Sequence, residues 1–267
     1  HVSARCVAAH ALNIFGDHSD VMACRQTGFC MLASNNVQEA HDFALIAHVA
    51  TLKASLPFLH FFDGFRTSHE INKIDEIPNE IIAKMLPTKD IEAFRKKAHN
   101  PTHPIQTGTA QNPDIFFQNR EACNPLYDKV YDIVVKTMNE FARHTGRKYA
   151  PFDYVGPKNA EDVIVAMCSG CEAAEAACEV LNTKYKQNVG VLKVRLYRPF
   201  NTKAFVAALP KTVKNITILD RTKEPGSAGE PLYQDVVAAL KEHNINVNVF
   251  GGRYGLGGKD FRTSDVA

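Results

Sequence analysis

No stretch of about 18 consecutive apolar residues occurs in the 267-residue chain, so no membrane-spanning helix is expected. The opening HVSARCVAAH lacks the basic region and short apolar core of a secretory signal, so a soluble, non-secreted protein is expected. Excess charge of one sign is missing too. Lysine plus arginine number 31 against 29 aspartate plus glutamate, a formal +2 that predicts neither a nucleic-acid surface nor an anionic-membrane surface. Glycine (15) and proline (13) are too few for a collagenous or low-complexity chain, and 45% hydrophobic against 22% charged residues is an ordinary globular balance. At this length one large domain, or two of roughly 100 to 150 residues, can bury a core without covalent staples. The seven cysteines are odd in number and lie mostly in apolar runs, which suits reduced thiols in a cytosol-like compartment. The chain opens on His1 inside an apolar run and stops at Ala267 with no element visibly finishing there. An internal piece of a longer polypeptide is therefore expected.

What is present divides into two styles. Val2 to Ala8 reads as an apolar strand, followed by the loop NIFGDHSDVMACRQTG, punctuated by Gly16, Asp17, Asp20 and Gly28. Ser34 and Asn35, both good N-caps, precede a helix whose Val37, Ala40, Ala44, Ala47 and Leu52 form an apolar stripe. Pro57 opens the strand FLHFF. TSHEINKI, NEIIAKM and TKDIEAFRKK read as short helices, and residues 100–125 as a polar, proline-dotted connection. Asn124-Pro125 starts a further helix, because proline at the first helical position forfeits no hydrogen bond; Gly146 ends it. RKYAPFDYVGP marks a domain boundary, drawn at 150/151. Beyond it VIVAM, VGVLKVRLY, ITILD and VNVF alternate with EAAEAACEVLNTKY, TKAFVAAL and PLYQDVVAALKEH. Near-continuous apolar strands separated by helices predict a parallel sheet covered on both faces.

Among the motifs, Cys168-Ser-Gly-Cys171 follows a strand and opens a helix, where a helix N-terminus lowers a thiol pKa. No second pair or nearby histidine supplies the four ligands of a zinc or iron–sulfur site, so structural and dithiol-redox roles are the main readings. GGRYGLGGKD fits no phosphate loop: a Walker loop needs glycine where Arg253 stands and a hydroxyl residue at Asp260, and the dinucleotide pattern needs glycine at Asp260. These glycines are expected to serve tight turns, at an edge able to face a neighbouring chain. Arg5 falls inside the apolar strand, where a guanidinium needs either a protein carboxylate or an anionic ligand. Asp17 and His18, with Asp20 and Arg25, gather titratable groups in one loop after a strand, the usual place for α/β catalytic residues, although a solvated polar loop has the same look.

The runs ARCVAAHALNIFGDHSDVMACRQTGF, HFFDGFRTSHEI, GTAQNPDIFFQ, VRLYRPF, LDRTKEPG and GGRYGLGGK, in this order and over essentially the whole chain, resemble the pyruvate:ferredoxin (flavodoxin) oxidoreductase family. The resemblance implies an α/β fold of two parts. Residues 1–150 would be the C-terminal part of a pyrimidine-type, thiamine diphosphate-binding (pyruvate-binding) domain, and 151–267 a transketolase C-terminal-like parallel-sheet domain. It implies oxidative decarboxylation of pyruvate to acetyl-CoA and carbon dioxide, with coenzyme A as partner and electrons passed to ferredoxin or flavodoxin. The complete enzyme would carry thiamine diphosphate, Mg and [4Fe-4S] clusters and form a homodimer, in the cytoplasm or in a hydrogenosome-like organelle matrix. Arg5 matches the arginine that binds the pyruvate carboxylate, and Asp17 and His18 lie in a matching loop near the same cavity, with no defined role. The pyruvate-binding threonine, the glutamate that activates the aminopyrimidine, the Mg-diphosphate motif and the cluster cysteines have no counterparts here. The piece by itself is thus expected to be inactive and to bind none of these cofactors. Cys6, Cys24, Cys30, Cys123 and Cys168 stand where bacterial relatives are expected to have small residues. The other reading is a stand-alone α/β binding or thiol-redox protein using the CSGC pair.

Overall fold

A computed structural model describes all residues from His1 to Ala267. The first sheet holds β1 (Val2–Ala4), β2 (Cys30–Ala33), β3 (Phe58–Asp63) and β7 (Leu196–Arg198), in the order β1-β3-β2-β7. Its first three strands are parallel and β7 is antiparallel to β2. The second sheet holds β4 (Phe152–Val155), β5 (Asp162–Ala166), β6 (Val189–Val194), β8 (Asn215–Asp220) and β9 (Asn248–Arg253), in the order β4-β6-β5-β8-β9. All its pairings are parallel except β4 with β6. This is the parallel α/β sheet expected for the second half.

The helices are α1 (Ser19–Ala23), α2 (Val37–Ala54), α3 (Asn79–Met85), α4 (Thr88–Lys96), α5 (Pro113–Glu121), α6 (Asn124–Asp128) and α7 (Val130–Thr145) in the first half. The second half adds α8 (Gly170–Lys184), α9 (Thr202–Ala208), α10 (Pro231–Glu242) and α11 (Thr263–Val266). Asn36, not Ser34 or Asn35, caps α2, its side chain accepting from Glu39 N. TSHEINKI is not helical: Gln38 of α2 ties the chain down at Asp75, donating to its carbonyl and accepting from its N–H at 3.0 and 2.7 Å. Helix α5 was not expected inside the polar connection, yet Asn112-Pro113 carries the same start signal as Asn124-Pro125. The helix expected from Asn124 is two, parted at Lys129.

VGVLKVRLY, read as one strand, serves both sheets. The chain leaves β6 at Arg195, whose N–H donates to Pro151 O and whose carbonyl accepts from Ala33 N, and then enters β7 beside β2. A 23-residue apolar core follows from this exchange, joining Ala4, Met31 and Phe61 of the first sheet to Val163, Val165, Leu192 and Ile218 of the second. A second core of 17 residues packs α2 against α7 through Phe43, Ile46, Val134, Met138 and Phe141. Between the sheets, buried Arg195 donates to Glu39 of α2 at 2.8 Å and to Asp153 of β4 at 2.8 Å.

Candidate functional site

In open parallel sheets, ligands bind outside the carboxyl ends of the strands. Here those ends, from both sheets, meet. Asp63 closes β3, Ser169 follows β5, Arg221 follows β8, and Tyr254 follows β9. His18 Nε2 donates to Asp63 Oδ1 at 2.6 Å, Ser169 N donates to Asp63 Oδ2 at 2.8 Å, and Arg221 Nη1 forms an ion pair with the same oxygen at 2.9 Å while donating to Ser169 Oγ at 3.3 Å. The circle closes through His18 N to Arg221 O at 2.8 Å, with Arg221 Nε on Gly255 O at 3.1 Å. His18, Asp63 and Arg221 are all buried. Burial alone would raise the Asp63 carboxyl, but the His18 ring and the Arg221 guanidinium outweigh it and hold Asp63 well below the usual carboxylate range. Left unpaired here, any one of these groups would be costly, and together they are satisfied.

Asp17 stitches two loops. It accepts from Cys6 Sγ at 3.0 Å, from the N–H and hydroxyl of Ser19, and from Gly257 N at 3.4 Å. Burial first, and the Asp17 carboxylate second, push the Cys6 thiol up to about 12. Of the glycines of GGRYGLGGKD, Gly251 and Gly252 lie within β9, whereas Gly255, Gly257 and Gly258 take positive φ in a turn that meets this chain's own loop. Gly258 N donates to Gly16 O at 3.0 Å, and a Cβ on Gly257, at φ 59°, would lie 2.3 Å from Asn13 Nδ2. The GDHSD loop is thus not a solvated loop: Asp17 and His18 are buried.

Arg5 requires a correction of its setting. Strand β1 ends at Ala4, whose carbonyl accepts from Gly64 N at 3.0 Å, and Arg5 emerges exposed beyond it. No protein carboxylate pairs with its guanidinium. Nη1 donates to Ile14 O at 3.3 Å, Cζ lies 4.6 Å from the centre of the Phe65 ring, and the main-chain N–H donates to Asp20 Oδ2 at 2.9 Å. Phe65 lines a cleft of about 550 Å³ with Asn35, Ser169, Arg221 and Tyr254.

Nothing supports the dithiol reading. Cys168 and Cys171 are fully buried, and burial pushes both thiols well above their ordinary value, the opposite of the lowered thiol pKa and partial exposure of a reactive pair. Cys168 Sγ does lie in a group with His18 and Asp63, all ligating atoms within 4.8 Å. Those two partners are already committed to each other and to Arg221. The six buried carboxylates are similarly spent, Asp63 on His18 and Arg221, Glu39 on Arg195, Asp17 on Cys6 and Ser19, Asp42 on Arg147 and Tyr149, Asp220 on the N–H groups of Leu232 and Tyr233, and Glu230 on Arg253 and Glu224 N. The residues of this chain therefore do not fit a magnesium diphosphate or an iron–sulfur cluster. Asp63, Ser169, Arg221 and Tyr254 escaped the sequence reading as site residues, although Asp63 and Arg221 stand within the family-like runs HFFDGFRTSHEI and LDRTKEPG.

Fold and crevice together define a mixed, mainly parallel α/β protein with its polar centre at the strand carboxyl ends. The chain belongs to the pyruvate flavodoxin/ferredoxin oxidoreductase family: that family's thiamine diphosphate-binding domain matches residues 1–139, and the pyruvate:ferredoxin oxidoreductase core domain II matches 160–266. It is similar to the pyruvate:ferredoxin oxidoreductase of Moorella thermoacetica, 58% identical over 266 residues, covering 100% of this chain and 23% of that protein. The pyruvate-flavodoxin oxidoreductase of Trichormus variabilis is 54% identical over 264 residues, 98% of this chain and 22% of that one. The chain thus spans less than a quarter of the length of these two relatives. Among solved structures, 2-oxoglutarate:ferredoxin oxidoreductase from Magnetococcus marinus, with 2-oxoglutarate, coenzyme A and succinyl-CoA bound, shares the fold at a TM-score of 0.56 and 14% identity, over 97% of this chain and 46% of that one.

Proposed function

We propose that this chain is part of an enzyme that oxidatively decarboxylates pyruvate with coenzyme A, yielding acetyl-CoA and carbon dioxide and passing two electrons to ferredoxin or flavodoxin. The observation that carries this is 58% identity across the whole chain to a pyruvate:ferredoxin oxidoreductase. Thiamine diphosphate's metal-bound end, its Mg and the [4Fe-4S] clusters would be held by parts of the polypeptide outside these residues, in a cytoplasmic homodimer. The division at 150/151 into a pyruvate-binding, pyrimidine-type part and a transketolase C-terminal-like part is supported by the separate matches to 1–139 and 160–266.

Within this reading Arg5 binds the pyruvate carboxylate. It is exposed at the carboxyl end of β1, and Ile14 O takes only one of its five N–H donors, so a planar fork remains free. Such a charge-assisted pair contributes about 1.5 to 3 kcal/mol. In the full-length polypeptide, Arg5→Gln should lower kcat/KM for pyruvate by about 10-fold to 150-fold, mainly through KM. Arg5→Lys should lose less, since charge survives while bidentate geometry does not. Pyruvate KM and melting temperature measured on one preparation decide the matter: an unchanged KM with a large drop in melting temperature would sink the ligand role. A full-length protein with no pyruvate- and coenzyme A-dependent reduction of ferredoxin or flavodoxin would sink the enzyme reading as a whole.

A further inference from the structure

Phe65 is a bulky residue in the left-handed region, at φ 63°, where side chains other than glycine meet strain. Such strain persists only where the surroundings over-determine the backbone. Here they do: a Cβ on Gly64 would lie 2.3 Å from Ala4 O, so β1 presses directly on the turn leaving β3. Ser68 Oγ accepts from Phe65 N at 2.9 Å, fixing the turn from its far side. The turn carries the Phe65 ring to Arg5, whose Cζ lies 4.6 Å from the ring centre. The same ring stacks on His69 at 4.6 Å and 10°, and is braced by Phe15 at 4.9 Å.

An exposed arginine side chain loses rotamer freedom whenever it must hold one direction. Apart from Phe65, the Arg5 guanidinium has one hold, the 3.3 Å hydrogen bond to Ile14 O, at the long end of the range. A ring attracts a guanidinium through its face, which leaves the in-plane N–H donors unused. A guanidinium held over the ring face is therefore restrained without its N–H fork being occupied. We propose that Phe65 is a positioning residue for carboxylate binding, its ring orienting the Arg5 guanidinium toward the pyruvate carboxylate. This rests on the reading of Arg5 as the carboxylate ligand.

The test is pyruvate KM, kcat and melting temperature in the full-length enzyme for Phe65→Leu, Phe65→Tyr, Phe65→Gly and Arg5→Gln. Phe65→Leu should raise KM about threefold to tenfold with kcat within about twofold, while Phe65→Tyr, which keeps a ring face, should stay near the parent. Phe65→Gly should raise KM equally while holding or raising the melting temperature, because glycine accepts the left-handed backbone without strain. Adding Phe65→Leu to Arg5→Gln should raise KM no further, since the ring acts through the arginine. If Arg5→Gln itself leaves KM unchanged, the ligand reading of Arg5 fails first and separately. If Arg5→Gln raises KM but Phe65→Leu and Phe65→Gly do not, or if only variants of lowered melting temperature show a raised KM, the positioning role is overturned.

Discussion

Asp220, the last residue of β8, is 2% exposed and accepts the main-chain N–H groups of Leu232 and Tyr233 at 3.0 and 3.1 Å in the first turn of α10. Burial pushes its carboxyl up to about 7; the two N–H groups pull it down and neighbouring Glu230 pushes it up again. A carboxyl raised in the folded state binds its proton more tightly there than in the unfolded chain. The stability it contributes is complete below about pH 4 and is lost as pH rises through about 7. Asp220→Asn is neutral throughout, so its melting temperature relative to the parent should be more favourable at pH 8 than at pH 5. Thermal unfolding of both proteins at both pH values checks this, and an equal difference at the two would refute it. At this scale, motif reading singled out Arg5, Asp17 and His18 but not the residues that surround them. Asp63 and Arg221 each look like an ordinary polar residue ending a strand, and they lie 158 positions apart in the numbering. Only the meeting of two sheets makes them one buried ion pair at 2.9 Å.

Elements were legible where periodicity was long and undisturbed, and misread where side chains from elsewhere decide. The apolar stripe of α2 and the alternation of β5, α8 and β8 needed no partner to be seen. The break in VGVLKVRLY did need one, because the pattern runs on through the bend, and the two charges in the apolar run, Lys193 and Arg195, do not mark where it falls. The Arg195 guanidinium donates to Glu39 through Nη2 at 2.8 Å and Nε at 3.2 Å, and Glu39 also accepts from Asn35 N at 2.9 Å. Removing one partner of a buried pair leaves the other charge uncompensated, at a cost of about 3 kcal/mol or more. Glu39→Gln should therefore shift the urea midpoint strongly downward. A shift equivalent to under about 1 kcal/mol would mean that Asp153 alone satisfies Arg195.

Over the whole molecule, the two sheets share one apolar core, so a cut at 150/151 costs both parts. The cost is unequal. Residues 151–267 keep all five strands of the second sheet, whereas residues 1–150 lose β7 and expose the edge of β2. Produced as separate polypeptides, the second part should show the higher urea midpoint, both should bind a hydrophobic dye that the intact chain excludes, and mixing should reduce that binding. A first part more stable than the second would place the division of the fold elsewhere. The boundary read from RKYAPFDYVGP rests on local composition, which carries no trace of a strand returned across it.

That returned strand also sets a schedule. A ribosome delivers β1, β2 and β3 well before β7, and domains generally fold in the order of their synthesis. The edge of β2 nevertheless waits for Leu196–Arg198, so the nascent first sheet carries unpaired main-chain N–H and C=O groups until residue 198 has emerged. Through that interval the growing chain presents a template to any other extended segment nearby, and the interval ends only when its own later residues claim the place.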